Sequence, residues 1–168
     1  MIEIPSRLRD RPVYGGLAIG YITRTLPDGR PCNGVNDELK RMQVIRERRC
    51  GQCCQPLDRW IAFIVTEVEA ADGLVEEPGM HRECAEYAMA VCPFLAHGIV
   101  RSRPVKIAPG EKLVMAPWSR GPDSRPRIGI YITSDYRAAR MLSGQLMVRM
   151  SPPKKIRWYD LEEPNESS

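Results

Sequence analysis

Apolar and polar positions alternate in distinct blocks along this chain, and each block predicts an element. From Val13 to Thr25 the residues are apolar, β-branched and aromatic around a Gly15-Gly16 interruption, which predicts a strand or a bulged strand pair. Pro27-Asp28-Gly29 is turn chemistry. The following segment predicts a helix with Asn36 as N-cap and Asp37 and Glu38 in its first turn. Its apolar stripe is Leu39, Met42 and Ile45, and Arg46, Arg48 and Arg49 crowd the C-terminal end. Trp60 to Val68 alternates and is β-branched, and Asp72-Gly73 marks a turn after it. A second helix is predicted from His81, with Cys84, Ala88 and Val91 on one face and Tyr87 beside them. Pro93 ends it near Val91 or Cys92.

The last third reads as short strands at 113–118, 127–133, 145–150 and 155–161, separated by Pro, Gly, Ser and Asp clusters. Such regular spacing favours an antiparallel sheet over parallel strand-helix-strand units. Ser134, with Asp135 after it, predicts a short capped helix running to Met141 before Gly144. The expected fold is α+β and the chain a single domain. Within it lie a strand-helix segment (1–49), a cysteine-rich unit (50–96), an antiparallel sheet (97–161) and a frayed tail (162–168).

Composition narrows the class. At 168 residues, 43% hydrophobic and 27% charged, the chain is neither disordered, collagenous nor membrane-spanning in character. No apolar run approaches the ~20 residues of a transmembrane helix, and the N-terminus lacks an export signal. A cytoplasmic protein with no membrane partner is expected. The net charge of +4 hides a strong asymmetry. Residues 1–49 carry ten basic and six acidic groups, 50–98 carry two and eight, and 99–168 carry thirteen and seven. An acidic middle therefore lies between basic flanks.

That middle holds five of the six cysteines. Cys50 and Cys53 form a C-x-x-C pair, His81 and Cys84 an H-x-x-C pair, and 27 residues separate Cys53 from His81. Two paired ligands at these spacings make a four-coordinate Cys₃His set, which suits the borderline-soft, geometrically undemanding Zn²⁺. Four protein ligands close the site, so one structural zinc per chain is expected. Cys54 is a register rival, because Cys50 and Cys54 are also acceptably spaced. Cys32 reads as a loop thiol and Cys92 as a small buried hydrophobe. A disulfide frame does not suit a chain without an export signal. A redox C-x-x-C belongs at a helix start after a buried strand, whereas Arg48-Arg49 precedes this pair and Gln55-Pro56 follows it.

Knuckle, hairpin, then a helix whose first turn supplies two ligands resembles the layout of a treble-clef zinc finger. More specifically, Cys50, Cys53, Pro78, His81, Cys84, Ala85, Tyr87 and Cys92-Pro93-Phe94-Leu95 resemble a family of small actinobacterial and actinophage proteins. These carry C-x-x-C, then a P-x-x-H-x-x-C-A-x-Y helix ending in CPFL. The resemblance runs in order over roughly residues 12 to 161. It implies a shared zinc site and brings no activity with it. The chain departs from the pattern at Cys54, where a glycine is expected.

Enzymatic readings fare worse. His81-Arg82-Glu83 matches the H-x-E of zinc deaminases, but the C-x-x-C lies N-terminal to it, lacks the preceding Pro, and Cys84 is one ligand too many. A His-Me-finger nuclease needs two uncommitted histidines or a His and an Asn, and only His97 remains. The leading expectation is a non-enzymatic, zinc-stabilised accessory protein that binds nucleic acid or a protein partner. A purely protein-directed factor comes second and a metal-dependent hydrolase or nuclease last. Nucleic acid would meet the basic flanks: Arg46, Arg48 and Arg49, then Arg101, Arg103 and Lys106, and Lys154, Lys155 and Arg157 beside Trp158. The acidic middle would repel a duplex and offers a protein-directed surface instead.

Overall fold

The computed structural model describes residues 2–92 and 127–159, together with the backbone of 105–106 and 112–113. A 3₁₀ turn at Ser6–Leu8 buries Leu8. A two-residue hairpin follows, β1 (Val13–Tyr14) with β2 (Leu17–Ala18). Gly15 and Gly16 turn it at φ of 58° and 78°, the double left-handed conformation of the tightest hairpin loops. β3 (Thr23–Thr25) pairs with β4 (Pro31–Asn36) across the predicted Pro-Asp-Gly turn, closed by the Leu26 amide donating to the Arg30 carbonyl at 2.8 Å.

The first helix, α1 (Glu38–Glu47), starts one residue later than expected. Asn36 is still paired with Thr23 in β4, so Asp37 becomes the N-cap and accepts from the Lys40 amide at 3.1 Å. Its buried face also differs from the predicted stripe. Arg41, Val44 and Ile45 point inward, while Leu39 is 76% exposed. The helix is turned so that a buried arginine, rather than Leu39, faces the core.

β5 (Ile61–Thr66) is buried at all six positions, which a strand shows only when both faces of its sheet are covered. It leads into a helix that was not anticipated, α2 (Glu67–Asp72). Thr66 caps the Glu69 amide while the Glu69 carboxylate receives the Thr66 amide, a reciprocal capping box, and Gly73 ends the helix at φ 68°. β6 (Leu74–Val75) and α3 (Arg82–Val91) complete the middle segment. β5 and β6 do not form the expected hairpin. The returning chain bridges to β5 at Met80, which exchanges two 2.8 Å hydrogen bonds with Ala62.

Further on come β7 (Val105–Lys106) and β8 (Lys112–Leu113), antiparallel to each other, then β9 (Ile128–Thr133), β10 (Tyr136–Arg140), β11 (Leu146–Met150) and β12 (Lys155–Tyr159). The predicted run at 113–118 lies outside the described residues apart from the backbone of Leu113. The predicted helix from Ser134 to Met141 is replaced by β10. Five residues of this strand pair in register with β11, and a long-range ladder outweighs a short local cap.

The last strands do not make a sheet of their own. One antiparallel sheet has the order β12-β9-β5 and the other β10-β11-β6, so each takes a strand from the cysteine-rich segment. With helices and small antiparallel sheets, the fold is α+β. Alternation along β5 and β9 sends Ala62, Ile64, Ile128 and Ile130 to one core, with α3 and the N-terminal turn. Ile61, Phe63, Val65 and Tyr131 go to another, with Ile45 and the β10-β11-β6 sheet. Gly129 permits this register. A Cβ there would lie 2.7 Å from the Trp158 ring, which β12 lays across it.

Candidate metal centre

Backbone bonds shape the first ligand pair before any metal is considered. The Cys50 amide donates to the Gln55 carbonyl and the Cys54 amide to the Cys50 carbonyl, each at 2.9 Å, curling 50–55 into a knuckle. The Gly51 amide docks the knuckle onto the segment before α3 through the Gly79 carbonyl at 3.0 Å. Only glycine fits at that contact, because a Cβ on residue 51 would stand 2.6 Å from Pro78 Cγ. The second pair comes from α3. His81 is its N-cap and Cys84 lies three residues on, so both face the same end of the helix. His81 makes no capping bond with its side chain. Its ring turns to the knuckle instead.

Cys50, Cys53, His81 and Cys84 each offer one ligand atom, and all four atoms lie within 4.8 Å of one another. A tetrahedron with arms of about 2.3 Å has edges of roughly 3.8 Å, so the cluster is of the right size for one ion. Every member is buried, at 0%, 8%, 1% and 0% exposure respectively. His81 Nδ1 approaches Cys53 Sγ at 3.3 Å, while Nε2 donates to the Pro56 carbonyl at 2.9 Å. That outer bond fixes the tautomer and leaves the Nδ1 lone pair facing the sulfurs, as a metal-ligating imidazole requires.

Without an ion the charges here conflict. Hydrogen bonds from Cys53 and then Cys84 hold the Cys50 thiol far below its ordinary range. Cys84 is driven the other way by its bonds to Cys50 and Cys53 and by burial. Burial opposes a charged His81, but the Cys50 and Cys53 sulfurs outweigh it and raise the imidazole to about 10. One negative sulfur is thus favoured at the expense of another. A dication would relieve this conflict, since it stabilises several thiolates at once.

Outside the ligands, Arg7 ties three segments together. Its guanidinium pairs with Glu83 in the first turn of α3, with Asp58 at 2.8 Å and with Gln55 Oε1 at 3.1 Å. Asp58 in turn stands 3.9 Å from His81 Nε2. This clamp was not foreseen, and nothing local in Ser6-Arg7-Leu8 announces it.

Cys54 is not part of the cluster. It is half-exposed, holds a left-handed φ of 63°, and lies beside the Tyr21 hydroxyl. Cys32 is buried and Cys92 half-buried, both as free thiols.

The basic candidates divide. Arg48 pairs with Asp135 at 2.7 Å and stacks over Tyr136, and Arg49 pairs with Glu47 at 3.1 Å. Arg46 is exposed on α1. Arg101 and Arg103 lie outside the described residues, and only the backbone of Lys106 is described. Lys154 sits 4.1 Å over the Trp60 ring, which Arg59 also approaches. Lys155 and Arg157 are exposed on β12. Trp158 is not the surface ring that its neighbours suggested. It packs inward against the second core, with Arg127 over its ring.

Among the described residues, no helix is long and apolar enough to cross a membrane. Comparison with known protein families, curated proteins and solved structures finds no match for this chain.

Proposed function

We propose that the chain is a non-enzymatic accessory protein stabilised by one structural Zn²⁺ on Cys50, Cys53, His81 and Cys84, in a treble-clef-like unit. The observation that carries this reading is closure. Four buried donors converge on one point and the histidine's second nitrogen is committed to Pro56, so water or substrate has no coordination position. Three sulfurs and an imidazole favour zinc over the oxygen-loving Mg²⁺ and Ca²⁺. A reducing compartment such as the cytoplasm suits three thiolate ligands. The activity is binding, through surfaces away from the metal, and nucleic acid is the partner best suited to the basic flanks.

Metal analysis of reduced protein tests the site. About one zinc per chain is expected, lost in Cys53→Ser and retained in Cys54→Ser. Absence of metal, or loss of it in Cys54→Ser alone, overturns the assignment.

A further inference from the structure

Strand alternation splits β12 between two environments. Ile156 and Trp158 turn toward the second core, while Lys155, Arg157 and Tyr159 face the side on which α3 packs. A groove opens there between helix and strand. Ile130 and Ile132 of β9 form its floor, Arg82 and Glu86 its helical wall, and the three β12 side chains its other wall.

The charges in this groove are unlike those of Arg48 and Arg49 at the end of α1. Arg48 and Arg49 are neutralised by Asp135 and Glu47. Lys155 and Arg157 pair with no carboxylate among the described residues, and Glu86 is already taken by Arg82 at 2.9 Å. The groove therefore presents three cations against one acid. Same-face residues two apart on a strand are separated by about 6.6 Å. That is of the order of the distance between successive phosphates on an extended single strand. Arg157 lies 5.0 Å from the Tyr159 ring centre, so a guanidinium and an aromatic ring stand together beside the apolar floor.

We infer that the groove between α3 and β12 seats a single-stranded nucleic acid, with Lys155 and Arg157 on its phosphates and Tyr159 against a base. The inference rests on the nucleic-acid reading above and assigns it a place and a strandedness. Cations without a carboxylate partner among the described residues follow the backbone, and the Tyr159 ring at the groove's edge accepts the face of an unstacked base of any identity. A duplex hides its base faces, and its second strand would approach the acidic residues of the metal unit.

Fluorescence anisotropy of the full zinc-loaded chain with a labelled oligothymidylate, a mixed-sequence RNA of equal length and the matching duplex tests it. At ~50 mM salt both single strands are expected to bind more tightly than the duplex. The Lys155→Ala/Arg157→Ala variant should weaken binding about tenfold or more and lower the salt slope by about 1.4, near 0.7 per phosphate. Tyr159→Leu should weaken it about fivefold or more with an unchanged slope. Arg137→Ala, exposed on β10, should bind as the parent does. Zinc content and thermal unfolding confirm that each variant is folded. Parent-like affinity and slope in the double variant overturn the groove and leave the nucleic-acid reading standing. Equal or tighter duplex binding overturns the strandedness. No binding by any probe removes both the groove and the nucleic-acid reading.

Discussion

On one face of the β12-β9-β5 sheet half of the buried side chains are small, Ala18, Ala62, Ala85 and Ala88 with Cys50, Cys53 and Cys84, and the large ones beside them include Ile64, Tyr87, Ile128 and Ile130. On the other they are large: Phe63, Tyr131, Tyr136, Leu146, Val148 and Met150, with Phe63 and Tyr136 edge to face at 5.7 Å. Apolar burial contributes about 25 cal/mol per Å², so alanines and cysteines cohere far less strongly than aromatic and branched side chains. The same strands are thus covered on one side by large side chains throughout and on the other by large side chains mixed with alanines and the Cys/His cluster. A single sheet supports both because β5 and β9 alternate, giving each face its own residues.

Metal removal separates the faces most sharply. Structural zinc in small fingers has an apparent binding free energy of about 10–16 kcal/mol, comparable with the whole stability of a typical domain. Chelation of the reduced protein should therefore release the knuckle and α3, read as lost amide protection at 50–55 and 82–91. The β10-β11 ladder should keep the longer protection. Equal loss across both faces would mean that the second core does not stand without the first.

Arg41 probes the packed face. It is 1% exposed at its side chain, forks onto Glu38 at 2.7 and 2.8 Å, and donates to the Glu76 and Leu146 carbonyls. Burial opposes its charge, but the Glu38 hydrogen bonds prevail and its pKa is raised. It links α1 to the chain beside β6 and to the start of β11. Arg41→Met fills much of the volume but leaves both carbonyls without this donor. A loss of about 3–5 kcal/mol in urea unfolding is expected, with zinc content unchanged. A smaller loss would show that the hydrophobic side chains hold that face without the arginine.

The two faces were unequally legible in the sequence. The Cys/His cluster could be read because a metal site restricts both residue type and spacing, and Cys50, Cys53, His81 and Cys84 satisfy both within short local pairs. Arg41 could not, because its partners at Glu76 and Leu146 are 35 and 105 residues away. Arg7 is the same case on the metal side, with Glu83 lying 76 residues on. Strand segments at 127–133, 145–150 and 155–161 are visible in the apolar runs, but a run does not name its partner, and β5 and β6 pair with β9 and β11 rather than with each other. Tyr136 illustrates the cost of a local reading. Ser134-Asp135 looks like a helix cap, yet the Tyr136 hydroxyl donates to the Ile45 carbonyl at 2.7 Å and its strand pairs with β11. Helix α2 was missed despite a local signal, since Thr66-x-x-Glu69 is a capping box.

Cys54 provides the smallest and most selective test, because it separates ligation from turn geometry in one knuckle. Its φ of 63° is left-handed, which costs an L-residue about 1–2 kcal/mol and glycine almost nothing. The glycine expected after the second cysteine thus has a backbone cause, and the departure here carries strain without adding a ligand. Cys54→Gly relieves that strain but loosens the unfolded chain, which offsets part of the gain. It also removes the thiol beside Tyr21. The net change expected in urea unfolding of the zinc-loaded protein is stabilisation by up to about 1 kcal/mol, with zinc stoichiometry unchanged. Cys54→Ser keeps the side chain and the strained backbone, so it should leave stability near that of the parent. A glycine variant that loses zinc would mean that Cys54 does ligate the metal. One that keeps zinc but is destabilised would mean that the Tyr21 contact outweighs the turn.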